Sequence, residues 1–125
     1  MEIKDLTKAE EQIMQIMWQL ESAFVKEIMD YLPEPKPAYN TVSTIVRILQ
    51  NKGFIGHEAY GKAHKYHPII SREAYKRHAT NKLLGNYYEN SVESMFSFFV
   101  KEEKLDVSDV DEILKMINNF KNRPK

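Results

Sequence analysis

Apolar residues recur at helical spacing from the start of the chain. Leu6, Ala9, Ile13, Ile16, Met17 and Leu20 form one stripe, the three-to-four-residue period of a helix with a single buried face. Thr7-Lys8-Ala9-Glu10 has the capping-box form, in which a threonine hydroxyl and a glutamate three residues on satisfy each other's backbone amides. Trp18, the single tryptophan, reads as a packing anchor, and Glu10-Glu11 as solvated helix-end charges. A break at Glu21-Ser22-Ala23 precedes a shorter helix, about residues 25–32, with Ile28, Met29 and Leu32 on its apolar side. Pro33, Pro35 and Pro37 cannot continue it, because each lacks an amide donor and biases its predecessor away from helix.

A third helix is expected over residues 38–52. Val42, Ile45, Val46 and Leu49 fall on one side. Asn40, Ser43, Thr44, Arg47 and Asn51 fall on the other. That outer face has no acid and no Glu/Lys ladder; it offers short hydrogen-bonding side chains around one arginine, which suits base edges and phosphates. Gly53 follows as a left-handed terminator. Residues 54–59 and 64–69 then read as two short strands around the turn Tyr60-Gly61-Lys62-Ala63, with Lys62, His64 and Lys65 at or beside its tip. Three helices followed by a basic hairpin describe a winged helix-turn-helix.

Beyond Pro68 the pattern is helical throughout. Ser71 caps a helix to about Tyr88; Val92, Met95, Phe96, Phe99 and Val100 share the face of a second, with Phe98 off the stripe. Ser108-Asp109-Val110-Asp111 opens a last helix carrying Val110, Ile113, Leu114, Ile117 and Phe120. Short helices over so few residues make a weak independent core. Three apolar stripes therefore fit an intertwined dimer. The expected fold is mostly α with a small β-hairpin: a winged helix-turn-helix over residues 1–70 and a helical dimerisation domain over 71–125.

Composition excludes several alternatives. With 42% hydrophobic and 29% charged residues in 125 positions, the chain is neither disordered nor low-complexity. The absence of cysteine removes disulfides, thiolate metal sites and a cysteine nucleophile. No apolar run spans a membrane and the first residues lack a secretion-signal layout, so a cytoplasmic location is expected. Net charge is zero overall, but residues 1–32 sum to −4, residues 33–88 to +6 and residues 89–125 to −2. A basic middle between acidic ends points to a local anionic partner.

Taken together, LTKAEEQIMQIMW (Leu6–Trp18), NTVSTIVRILQNKGFI (Asn40–Ile55), GKAHKYHP (Gly61–Pro68) and SMFSFFVKEEKLDVSDVDEILKMI (Ser94–Ile117) resemble the penicillinase-repressor and methicillin-resistance-repressor family of bacterial winged-helix regulators. The resemblance spans nearly the whole chain. It implies a homodimer that binds a pseudo-palindromic double-stranded operator and blocks transcription, with no cofactor. It places Asn40, Thr41, Ser43, Thr44 and Arg47 on the recognition helix and Lys62 and His64 on the wing. For dimerisation the candidates are Tyr87, Val92, Met95, Phe96, Phe99, Ile113, Leu114 and Ile117. The resemblance also implies a partner, a membrane-embedded zinc-metalloprotease sensor, whose action within the dimerisation domain releases the repressor and derepresses antibiotic-resistance genes. Two departures stand out. Where antibiotic-responsive members are cut at an Asn-Phe bond, this chain has Phe98-Phe99 as the candidate cleavage position; and the cysteine cluster of a copper-responsive branch is absent.

Three rivals compete with this reading. A metal-dependent enzyme draws on His57, His64 and His67, but opposite strand faces and the lack of a clustered carboxylate argue against a metal site. No nucleophile elbow, phosphate loop or histidine-carboxylate helix motif is present, so no enzyme activity is expected. A protein-binding winged helix would favour an apolar or acidic third helix; only Ile48 fits that better. A ligand-responsive regulator would place an aromatic pocket among Tyr75, Tyr87, Tyr88, Phe96, Phe98 and Phe99.

Overall fold

The computed structural model describes residues 2–122. Its elements run α1 (Lys8–Leu20), α2 (Val25–Asp30), α3 (Tyr39–Asn51), β1 (Ile55–Tyr60), β2 (Ala63–Pro68), α4 (Arg72–Tyr88), α5 (Val92–Lys101) and α6 (Val107–Lys121). The fold is mostly helical with one antiparallel hairpin, in which His57 pairs with Tyr66 and Ala59 with His64. The chain divides into two compact units inside α4, one ending at Ala79 and one starting at Thr80.

Among the described residues, the buried core lies entirely in the first unit. Ile13, Met14, Met17, Ile28, Val42, Val46, Leu49, Phe54 and Ile55 are almost completely withdrawn from solvent. Thr7 caps α1 as its spacing requires: its Oγ1 accepts from Glu10 N at 3.2 Å, and Glu10 Oε1 accepts from Thr7 N at 2.9 Å. The buried face of α1 is nevertheless rotated from the expected one. Ala9 is exposed, whereas Met14 and Glu10 are buried. Glu10 is thus no solvated end charge; Lys52 Nζ, at the end of α3, meets its Oε1 at 2.6 Å and also donates to the Asp5 carbonyl at 3.1 Å. Burial pushes the Glu10 carboxyl up, but Lys52 and the Thr7 amide and hydroxyl outweigh it and hold the group below its ordinary value.

Helix α2 stops at Asp30, before Leu32, and Lys36 takes over its end: Lys36 Nζ donates to the carbonyls of Met29 and Leu32 at 2.8 and 3.1 Å. Gly53 follows α3 at φ +85°, where a side chain would be strained. Trp18 anchors as expected, donating Nε1–H to the Ile70 carbonyl at 2.9 Å. Tyr75 closes the same core. Its ring meets Phe54 edge-on at 5.6 Å and Trp18 at 6.0 Å, and its hydroxyl accepts from Leu6 N. It therefore belongs to the first unit and not to an aromatic pocket of the C-terminal helices.

Among the described residues the second unit contains no buried one. Ser91 caps α5 as an acceptor for Ser94 N. Helix α6 starts earlier than its Ser-Asp-Val-Asp stretch suggests: Asp106 is the cap, and it exchanges bonds of 2.9 and 3.1 Å with Asp109. Ser108 lies inside the first turn because the Asp106/Asp109 pair satisfies both free amides.

Candidate nucleic-acid interface

Burial of Val42, Val46 and Leu49 turns the other side of α3 outward. Asn40, Thr41, Thr44 and Arg47 are exposed there, and Ser43 is half-buried. Thr44 Oγ1 donates to the Asn40 carbonyl at 2.8 Å, which spends its proton within the helix and leaves lone pairs as acceptors. Arg47 has no ion-pair partner among the described residues. Ile48 is 38% exposed at the border of this face.

The hairpin is attached to the helices through three elements. Ala23 pairs with Tyr66 through two backbone hydrogen bonds of 2.9 and 2.8 Å, adding a short third edge to the sheet. Phe24 lies edge-on to Tyr60 at 5.9 Å, and Lys65 Nζ sits 5.5 Å from the Phe24 ring centroid. His57 Nδ1 is 2.7 Å from Gln50 Oε1 in the last turn of α3, so Nδ1 is the donor. Register puts His57 and His64 on one face, where their rings stack at 4.1 Å and 10°. That corrects the expectation that the strand faces keep the hairpin histidines apart. Only His67 has the opposite parity. Among the described residues no group of three His, Cys, Asp or Glu side chains could hold a metal ion.

Ser43 of α3 and Lys62 and His64 of the hairpin line one cleft of about 450 Å³. Phe24, Tyr39 and Tyr66 supply its aromatic walls, and Lys26 and Glu27 its rim on α2. Glu27 Oε1 is occupied by Phe24 N at 2.9 Å. Burial raises the Tyr66 phenol above its ordinary value, against an opposing effect of the Arg47 charge. Of the expected recognition residues only Ser43 lines this cleft with the wing residues Lys62 and His64; Asn40, Thr41, Thr44 and Arg47 lie outside its lining. Tyr39 was missed, although it stands one turn before Ser43 and so shares its face. The basic middle is also smaller than its charge sum implies, since Lys36 and Lys52 are engaged within the fold.

Of the dimerisation candidates, Tyr87 at the end of α4 is 76% exposed; Val92, Leu114 and Ile117 are exposed as well. Met95, Phe96, Phe99 and Ile113 are half-buried. Phe98 packs on Tyr88 at 6.0 Å and Phe99 at 6.1 Å, so the candidate cleavage bond lies within helix α5.

A family model described as the penicillinase repressor matches residues 6–119. The chain belongs to the penicillinase repressor family. A penicillinase repressor of Bacillus licheniformis is 24% identical over 124 residues, covering 98% of this chain and 97% of that one. The methicillin resistance regulatory protein MecI of Staphylococcus aureus is 23% identical over 115 residues, covering 91% and 94%. The solution structure of the DNA binding domain of the repressor BlaI matches at a TM-score of 0.52 and 25% identity, over 59% of this chain and 92% of that domain. This penicillinase repressor family member thus has the winged-helix fold, and its relatives are named as repressors and regulators, not enzymes. No helix among the described residues is long and apolar enough to cross a membrane.

Proposed function

We propose that this penicillinase repressor family member is a dimeric, cytoplasmic, sequence-specific DNA-binding repressor, with α3 in the major groove and the hairpin along the backbone. The observation that carries this reading is the exposed, acid-free face of α3, beside which Ser43 lines one cleft with Lys62 and His64. Asn40, Thr41, Ser43 and Thr44 supply compact donors and acceptors for base edges and phosphates, and Arg47 the bidentate contact. Lys62 and Arg47 gain affinity by displacing counterions from phosphates, which makes binding salt-dependent, and His64 adds a hydrogen-bonding group on the wing. Residues 71–125 act as the dimerisation domain, so that two winged units address two half-sites. The exposed apolar residues of α5 and α6 support that role.

Release by a membrane-bound metalloprotease at Phe98-Phe99 completes the proposal. Because that bond lies within α5, cleavage requires local unwinding of the helix, which a marginal unit permits.

Fluorescence anisotropy with DNA from upstream of the protein's own gene tests the reading, against scrambled DNA of equal length and at two salt concentrations. The expected result is selective binding with two chains per duplex. Equal binding to both DNAs that vanishes with salt refutes sequence-specific repression and favours a protein interface built on Ile48. Arg47→Ala should cost about 1–3 kcal/mol and relax the preference at one base pair; a uniform loss over all base substitutions assigns Arg47 to the backbone.

A further inference from the structure

The cleft between α2, α3 and the hairpin has a composition that duplex DNA does not need. Phosphates require cations and hydrogen-bond donors, which Ser43, Lys62 and His64 provide. Three aromatic side chains, Phe24, Tyr39 and Tyr66, stand around the same space, and Lys26 adds a cation from the side of α2. The volume of about 450 Å³ falls in the range of small-molecule pockets, which are apolar and aromatic with a few charged groups fixing orientation. The one acid on its rim, Glu27, is tied to the Phe24 amide.

From this arrangement we infer an effector site: the cleft takes a small planar aromatic carboxylate, which excludes the operator from Ser43, Lys62 and His64. The rings are covered by the tyrosine and phenylalanine side chains, and the carboxylate is held by Lys26, Lys62 and His64. Tyr66, a phenol that burial pushes further above its ordinary value, presents no phenolate to oppose it. The ligand and the DNA use overlapping groups, so their binding is mutually exclusive and no conformational change is needed for derepression. Ligand-responsive regulation is thereby located in the winged unit and not among the C-terminal aromatics.

The competition with DNA rests on the proposed operator binding, but occupancy of the cleft does not, so the test has two arms. In the first, free full-length protein is titrated with 2-naphthoate and followed by NMR. The expected perturbations fall on Tyr39, Tyr66, Lys62 and His64; perturbations centred on Tyr87, Tyr88 and Phe98 overturn the site. Removing either half of the ligand, with 2-naphthalenemethanol or inorganic phosphate, should weaken binding on the order of tenfold. Equal binding of the neutral alcohol overturns the carboxylate assignment.

In the second arm, 2-naphthoate displaces operator DNA at fixed ionic strength. Lys26→Gln, outside the proposed DNA-contacting set, should bind operator as before while responding to naphthoate about tenfold more weakly. Equal displacement by naphthoate and phosphate would reduce the cleft to a backbone contact and overturn the inference. Lack of operator binding by the unliganded protein refutes the repressor reading, while the first arm still decides the site.

Discussion

The two compact units of this chain are built from similar helices and differ in where their apolar side chains end up. In the first, Met14, Val42 and Phe54 are fully buried and even Glu10 is nearly sealed. In the second, Leu83, Tyr87, Val92, Val110, Leu114 and Ile117 remain exposed although the periodicity of α5 and α6 is as clear as that of α1. Amphipathicity therefore says that a helix has a face to bury, and nothing about what buries it. The winged unit closes its core within one chain, whereas the C-terminal unit lacks enough mass around its stripes to do so. A self-sufficient unit beside a dependent one is consistent with the proposed division into a DNA-binding unit and a dimerising unit.

Phe54→Ala breaks the contrast from the side of the first unit. It removes the ring between Leu49, Ile55 and Tyr75 and should lower unfolding stability by about 3–5 kcal/mol, read by urea denaturation at fixed protein concentration. A loss below 1 kcal/mol would mean that the winged core does not carry the fold. Leu114→Asp attacks the other side. It should weaken self-association by about 2 kcal/mol, about thirtyfold, in sedimentation equilibrium, while near-ultraviolet signals from Trp18 stay unchanged. Unaltered association would remove α6 from the interface.

Smaller effects sharpen the picture. Because the Glu10 carboxyl is held below its ordinary value of 4.5 by Lys52 and Thr7, against the effect of burial, its contribution is fully present above that value. It is lost as pH falls through the lowered one. Acid titration of stability should show this limb in the wild type and not in Glu10→Gln, which costs about 1–2 kcal/mol at neutral pH. The pair Thr7→Ala and Asp106→Ala removes matched capping boxes from the two units. Each should cost about 1 kcal/mol, but only Thr7→Ala should do so independently of protein concentration. Equal concentration dependence in both would erase the distinction between a self-sufficient and a dependent unit.

Much of the first unit was legible beforehand because its signals are local. The Thr7/Glu10 box, Gly53 at positive φ and the Ser71 cap all depend on neighbours within a few residues, and each stands where its spacing placed it. The exposed face of α3 was legible for the same reason: one apolar stripe determines the opposite side. What was not legible depends on residues far apart in the chain. Glu10 reads as a surface acid until Lys52 arrives from 42 positions away. Tyr75 reads as part of the C-terminal aromatics until Phe54 and Trp18 close on it. Tyr39, alone among the cleft's walls, could have been found from its position one turn before Ser43.

The sequence by itself determined the order and type of the elements, the polar outer face of α3 and the family, since period, caps and turn residues act through short-range sterics and hydrogen bonds. The tertiary structure alone decided which charges are committed to the fold, which histidines stack, and that Phe24, Tyr39, Lys62 and His64 surround one cleft. Those outcomes arise from packing between elements, where the position of one side chain is set by residues tens of positions distant.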